Sequence, residues 1–134
     1  MKADIHRPRV EGVAMAIVQE RDAEDEPGWY VYLINRNTVP LENVLVSSRG
    51  YGEIEGEQRR TSEMRHFLET LGPKSWARIE RIVEEVFPLS NQYWLSFYID
   101  GVIHDKKYIF LPESISSEHF TDLPLMERRG VMIE

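Results

Sequence analysis

A chain of 134 residues and 15.8 kDa has the size of a single domain and buries about two-thirds of its unfolded surface, enough to fold without metal or disulfide support. Hydrophobic residues make up 42% and charged residues 29%, a globular balance that excludes an intrinsically disordered chain. The lack of cysteine excludes a disulfide framework, thiolate zinc sites and cysteine nucleophiles, and a net charge of −7 repels phosphate backbones and anionic lipid, so neither nucleic acid nor membrane is an expected partner. Residues 1–8 lack the apolar stretch of an export signal. The longest apolar run, residues 13–18, is far short of the roughly 20 residues needed to cross a bilayer. A cytoplasmic protein is the expectation, with an N-terminal arm over 1–12, a folded domain over 13–111 and a C-terminal extension over 112–134.

Residues 13–20 are short, apolar and half β-branched, and they run into the acidic stretch Glu20 to Glu26 closed by Pro27-Gly28. This predicts strand, exposed loop, strand. Trp29-Tyr30-Val31-Tyr32-Leu33-Ile34-Asn35 carries apolar residues on both alternating faces, the pattern of a central strand covered on both sides. Asn35 to Pro40 is turn chemistry, after which residues 41–48 resume strand composition. Gly50, Gly52 and Gly56 then punctuate the charged residues 49–60, which predict an exposed loop or hairpin tip.

Residues 62–87 satisfy two templates. Met64, Phe67, Leu68 and Leu71 fall at i, i+3, i+4, i+7, and Trp76, Ile79, Ile82 or Val83, and Val86 continue at helical spacing, which gives a helical hairpin and an α+β fold. The same residues alternate as strands: Met64, His66 and Leu68 against Arg65, Phe67 and Glu69, then Ala77, Ile79 and Arg81 against Trp76, Arg78 and Glu80. Further on, residues 93–99 and 102–111 flank Asp100-Gly101, the strongest hairpin signal in the chain. Residues 112–134 are polar with scattered apolar positions and read as an irregular extension.

This order of signals resembles the small bacterial immunoglobulin-like sandwiches, among them cell-adhesion-related repeat domains. The matching residues are Asn35 in a polar turn, Leu41-Glu42-Asn43-Val44-Leu45-Val46, and Leu71-Gly72-Pro73-Lys74-Ser75, within a span of residues 13–111. The resemblance implies that the ambiguous segments are strands and that the fold is an all-β, antiparallel sandwich of about seven strands with a C-terminal extension. It further implies that two sheets bury Trp29, Val31, Leu33, Val44, Val46, Phe67, Ile79, Trp94 and Phe97. A fainter similarity is to uncharacterised bacterial proteins labelled as related to the phenylalanyl-tRNA synthetase α subunit. The ATP-binding arginine motifs of that enzyme are not found in the chain, so the label would imply an accessory protein.

Catalytic chemistry finds little footing. His6, His66, His104 and His119 are too scattered for metal-ligand spacing, and the nearest cluster, Glu118-His119 with Asp122, is accounted for by a solvated polar tail, so no metal is expected. His104 and Asp105 invite a general-base reading, but neighbours on a strand point to opposite faces. Ser47, Ser48 and Ser75 lack a nucleophile elbow. Gly50-Tyr51-Gly52 with Gly56 lacks the Lys-Ser/Thr ending of a phosphate-binding loop, and Glu53, Glu55 and Glu57 would repel phosphate. No catalytic residue and no cofactor is assigned.

The same segment carries Arg49, Tyr51, Arg59 and Arg60, residue types enriched at interface hot spots, and is the expected contact surface. Trp29, Trp76, Trp94 and the six tyrosines are expected to pack in the core; Tyr30, Tyr32, Tyr93 and Tyr98 become a binding patch only if they share an exposed face. The expected function is a non-catalytic module contacting another protein or a second copy of itself. The alternatives are a small-ligand or carbohydrate binder, and an enzyme assembling His66, His104 and Glu118 in a pocket.

Overall fold

Alternating apolar residues and tight polar turns build the regular elements. In the computed structural model, which describes residues 8–134, β1 (Val13–Arg21) and β2 (Pro27–Asn35) form the first hairpin. Its loop is closed by Asp22, whose carboxylate accepts from the backbone N–H groups of Glu24 and Glu26. Next come β3 (Leu41–Ile54), β4 (Glu57–Arg60), β5 (Met64–Leu71), β6 (Ser75–Ile82), β7 (Ser90–Ile99), β8 (Val102–Phe110), β9 (Thr121–Asp122) and β10 (Arg129–Ile133). All pairings are antiparallel. The protein is therefore an all-β sandwich, its arrangement compatible with an immunoglobulin-like fold.

The strands form two sheets. The first has the order β6-β2-β1-β10-β9; in the second, β3 pairs with β7 on one side and with β4 and β5 in succession on the other, and β8 follows β7. The core lies between them. Val13, Met15, Ile17, Val31 and Leu33 of the first sheet face Val44, Val46, Leu95, Phe97, Tyr108 and Phe110 of the second.

The helical hairpin across 62–87 is not formed: β5 and β6 occupy that span. Each finds a ladder, β5 on β3 from Leu41↔Leu71 to Ser48↔Met64 and β6 on β2 from Asn35↔Ser75 to Trp29↔Ile82, the latter with a register shift between Val31 and Tyr32. Between them Lys74 takes a left-handed conformation, φ 49°, that ends one strand and starts the other in the opposite sheet. Among the described residues helix is confined to two three-residue 3-10 turns, Glu84–Val86 and Ser117–His119.

The strand count also exceeds the expected seven or so, because the glycine-spaced segment and the C-terminal stretch contribute β4, β9 and β10. Glu55 and Gly56, φ 51° and 81°, make the two-residue turn between β3 and β4, as Asp100 and Gly101, φ 48° and 73°, do between β7 and β8. β10 does not trail off as irregular chain but lies beside β1. Leu123 and Met126, which precede it, cover the outer face of the first sheet over Ala14, Ala16, Val18, Tyr30, Tyr32 and Ile34. That cover is why β2 carries apolar side chains on both faces.

Candidate functional site

Among the described residues, none gives the outer face of the second sheet such a cover. Side chains directly across an antiparallel ladder share a face, so the register sets out its rows. Phe67, Leu45, Ser96 and Asp105 form one; Arg65, Ser47, Trp94 and Lys107 the next; Arg49, Gln92 and Ile109 a third. Phe67 is 62% exposed, Trp94 47%, Leu45 38%, and Tyr98, across from Ile103, 37%. Lys107 Nζ lies 4.9 Å from the Trp94 ring centroid, and a depression of about 200 Å³ opens between Trp94, Gln92, Arg49, Ser47, Ser48 and Glu63.

Burial of Phe67 and Trp94 between the sheets is thus corrected, while Trp29, Val31, Leu33, Val44, Val46, Ile79 and Phe97 are buried. Both residues sit in β-strands at the parity opposite to the core positions Leu68, Tyr93 and Leu95. The sequence did carry a signal for this. Phe67 and Trp94 share their parity with Arg65, Glu69, Gln92 and Ser96, whereas the alternate residues Tyr93, Leu95 and Phe97 are uniformly apolar.

The hairpin β3–β4 extends this face. Arg49 and Tyr51 follow Leu45 and Ser47 at alternate positions, with the Arg49 guanidinium 5.5 Å from the Tyr51 ring centroid, and Arg60 stands across from Tyr51. Arg59, across from Gly52, belongs to the other side and pairs with Glu57 over 2.9 Å. Three of the four expected contact residues therefore lie on one face with Trp94. Every residue of β4 is exposed.

The other aromatic residues disperse. Tyr30, Tyr32 and Tyr93 are buried and share no exposed face with Tyr98. Trp29 is in the core, its Nε1 donating to Glu84 over 3.3 Å, and Trp76 is 44% exposed at the edge strand β6.

The histidines do not converge. His66 lies on β5 and His104 on β8, three strand spacings or about 14 Å apart across the sheet. His104 stacks on Phe97 with centroids 5.1 Å apart, and His119 closes the 3-10 turn capped by Ser116. His6 lies outside the described residues. Among those described, no three His, Asp or Glu side chains come together as a metal site, and no helix is long and apolar enough to cross a membrane.

His66 takes part in an arrangement that sequence spacing does not reveal. Its Nε2 is 2.7 Å from Glu80 Oε1, Ser48 Oγ donates to the same oxygen over 2.8 Å, and Tyr93 Oη donates to Glu80 Oε2 over 3.0 Å. These four residues tie β5, β3 and β7 of one sheet to β6 of the other. Burial, and next the Glu80 carboxylate, pushes the Tyr93 phenol well above its ordinary range, so it remains a donor.

Neither family models, curated proteins nor solved structures gave a match to this chain.

Proposed function

We propose that the protein is a non-catalytic interaction module of immunoglobulin-like type, working in the cytoplasm, whose contact surface is the outer face of the second sheet together with the β3–β4 hairpin. One observation carries this reading: the C-terminal segment covers the outer face of the first sheet, while among the described residues Leu45, Phe67, Trp94 and Tyr98 stand exposed on the second. An apolar, aromatic patch rimmed by polar residues is the composition of a recognition surface.

The charges on that face favour a partner of a particular kind. Arg49, Arg60, Arg65 and Lys107 around Trp94 and Tyr51 outnumber Glu63, which pairs with Arg65 over 3.9 Å, against a chain whose net charge is −7. A protein offering apolar residues flanked by carboxylates would be drawn to this end of the face.

The test is to tag the full chain in its native host and compare co-purifying proteins with those retained by two variants, Phe67→Ser with Trp94→Ser, and Tyr51, Arg60→Ala. A partner retained by the native chain and lost from both variants is the expected result, with sedimentation at increasing concentration to detect self-association. Self-association abolished by the same substitutions would make the partner a second copy. A partner retained by both variants would move the contact surface elsewhere.

A further inference from the structure

A cavity of about 320 Å³ opens at the edge of the sandwich, where β5 and β6 part into different sheets, and it reaches the size at which small-molecule sites begin. Met64, Ile82, Val83 and Val86 give it apolar walls, and Ser48, Glu80 and Tyr93 a polar cluster.

That cluster has one chemical sense. The Ser48 and Tyr93 hydroxyl protons are both directed to the Glu80 carboxylate, which leaves hydroxyl lone pairs and the carboxylate itself to meet anything that enters. Among the described residues no lysine or arginine pairs with Glu80, and His66 is the one basic side chain hydrogen-bonded to it. The two arginines that line the cavity are engaged elsewhere, Arg49 against the Tyr51 ring and Arg81 with Asp22 over 3.4 Å. Acceptors grouped within apolar walls select a hydrogen-bond donor on an apolar body, and a carboxylate among them selects a positive one.

We propose that this cavity binds a small organic ammonium, its NH3⁺ group held by Glu80, Ser48 and Tyr93 and its hydrocarbon body by Met64, Ile82, Val83 and Val86. The polar cluster is set apart from the outer face, since Ser48 and Tyr93 point between the sheets and Trp94 and Ser47 away from them, although Ser48 and Arg49 border both depressions. Either reading can fail without the other.

The test titrates the full chain at neutral pH with 3-methylbutan-1-amine and with its neutral counterpart 3-methylbutan-1-ol, following backbone amide shifts by NMR. The expected result is saturable shifts around Ser48, Glu80, Ile82 and Tyr93 with the amine, and binding at least about tenfold weaker with the alcohol and in Glu80→Gln. No saturable shift, an equal response to the alcohol, or undiminished binding by Glu80→Gln overturns the proposal. If that variant does not give a folded spectrum, Val83→Trp takes its place, since Val83 lines the cavity, is no part of the polar cluster and, at 47% exposed, has room for a larger ring. Loss of amine binding in it upholds the site, and unchanged binding overturns it.

Discussion

Asn35 is fully buried, and its side-chain amide is used at both ends. Nδ2 donates to the carbonyls of Val39 over 3.0 Å and Gly72 over 2.9 Å, and Oδ1 accepts from the Asn37 N–H over 3.0 Å. The two turns so joined both carry the chain from one sheet to the other, between β2 and β3 and between β5 and β6. Asn35→Ala strands these three groups, at about 1–3 kcal/mol for each one that water does not reach, and is expected to destabilise the protein by at least about 2 kcal/mol. A shift in urea midpoint worth less than about 0.5 kcal/mol would show that water replaces the amide. Asn35 and the Leu71-Gly72-Pro73 turn were both legible as turn residues, but their hydrogen bond was not, because nothing local relates positions 37 residues apart. Phe67 and Trp94 show the converse. The resemblance implied their burial, although the polar residues that share their parity, Arg65, Glu69, Gln92 and Ser96, already marked that face as one turned to solvent.

Among the elements, β10 was the least legible. Five residues with a glycine near the start give too short a pattern for periodicity, and its partner β1 lies at the other end of the chain. What holds it in place is close approach. A Cβ on Gly130 would stand 2.5 Å from the Ile17 carbonyl oxygen and 2.9 Å from Val18 Cγ1, with Leu123 Cδ1 at 3.2 Å. Gly130→Ala must therefore push β10 away from β1 or lift Leu123 off the outer face. We expect a loss of about 1–3 kcal/mol, with hydrogen exchange of the Val131 to Ile133 amides accelerated more than that of β7. Equal acceleration in both would mean that the strand has no separate role.

Across the whole molecule, Glu20 connects pieces that are remote in sequence. It accepts from Tyr32 Oη over 2.6 Å, from Arg78 over 2.8 Å and from Arg128, so β1, β2, β6 and the segment leading into β10 meet at one carboxylate. Burial by itself raises the Glu20 carboxyl, but the hydrogen bonds from Tyr32 and Arg128, with the charges of Arg128 and Arg78, outweigh it and hold the group below its ordinary value. A carboxyl lowered in the folded state contributes stability that is present above its unfolded pKa, about 4.3, and is lost as pH falls through the folded value. Glu20→Gln is expected to be less stable at neutral pH and to lose less stability on acidification, read from urea midpoints between pH 7 and pH 3. Parallel pH profiles for the two chains would remove Glu20 from the acid response.

The sequence by itself determined the strand character of residues 13–20, 29–35, 41–48, 93–99 and 102–110 and the position of the Asp100-Gly101 turn, because alternation and left-handed turn geometry are local properties. Only the tertiary structure decided that residues 64–71 and 75–82 are strands, since helical and extended templates fit them equally until β3 and β2 supply hydrogen-bond partners. It also decided which outer face is covered and which is left open, and it brought Ser48, His66, Glu80 and Tyr93 together. Those outcomes depend on which strands become neighbours, a quantity set by packing of the whole chain and by no segment of it alone.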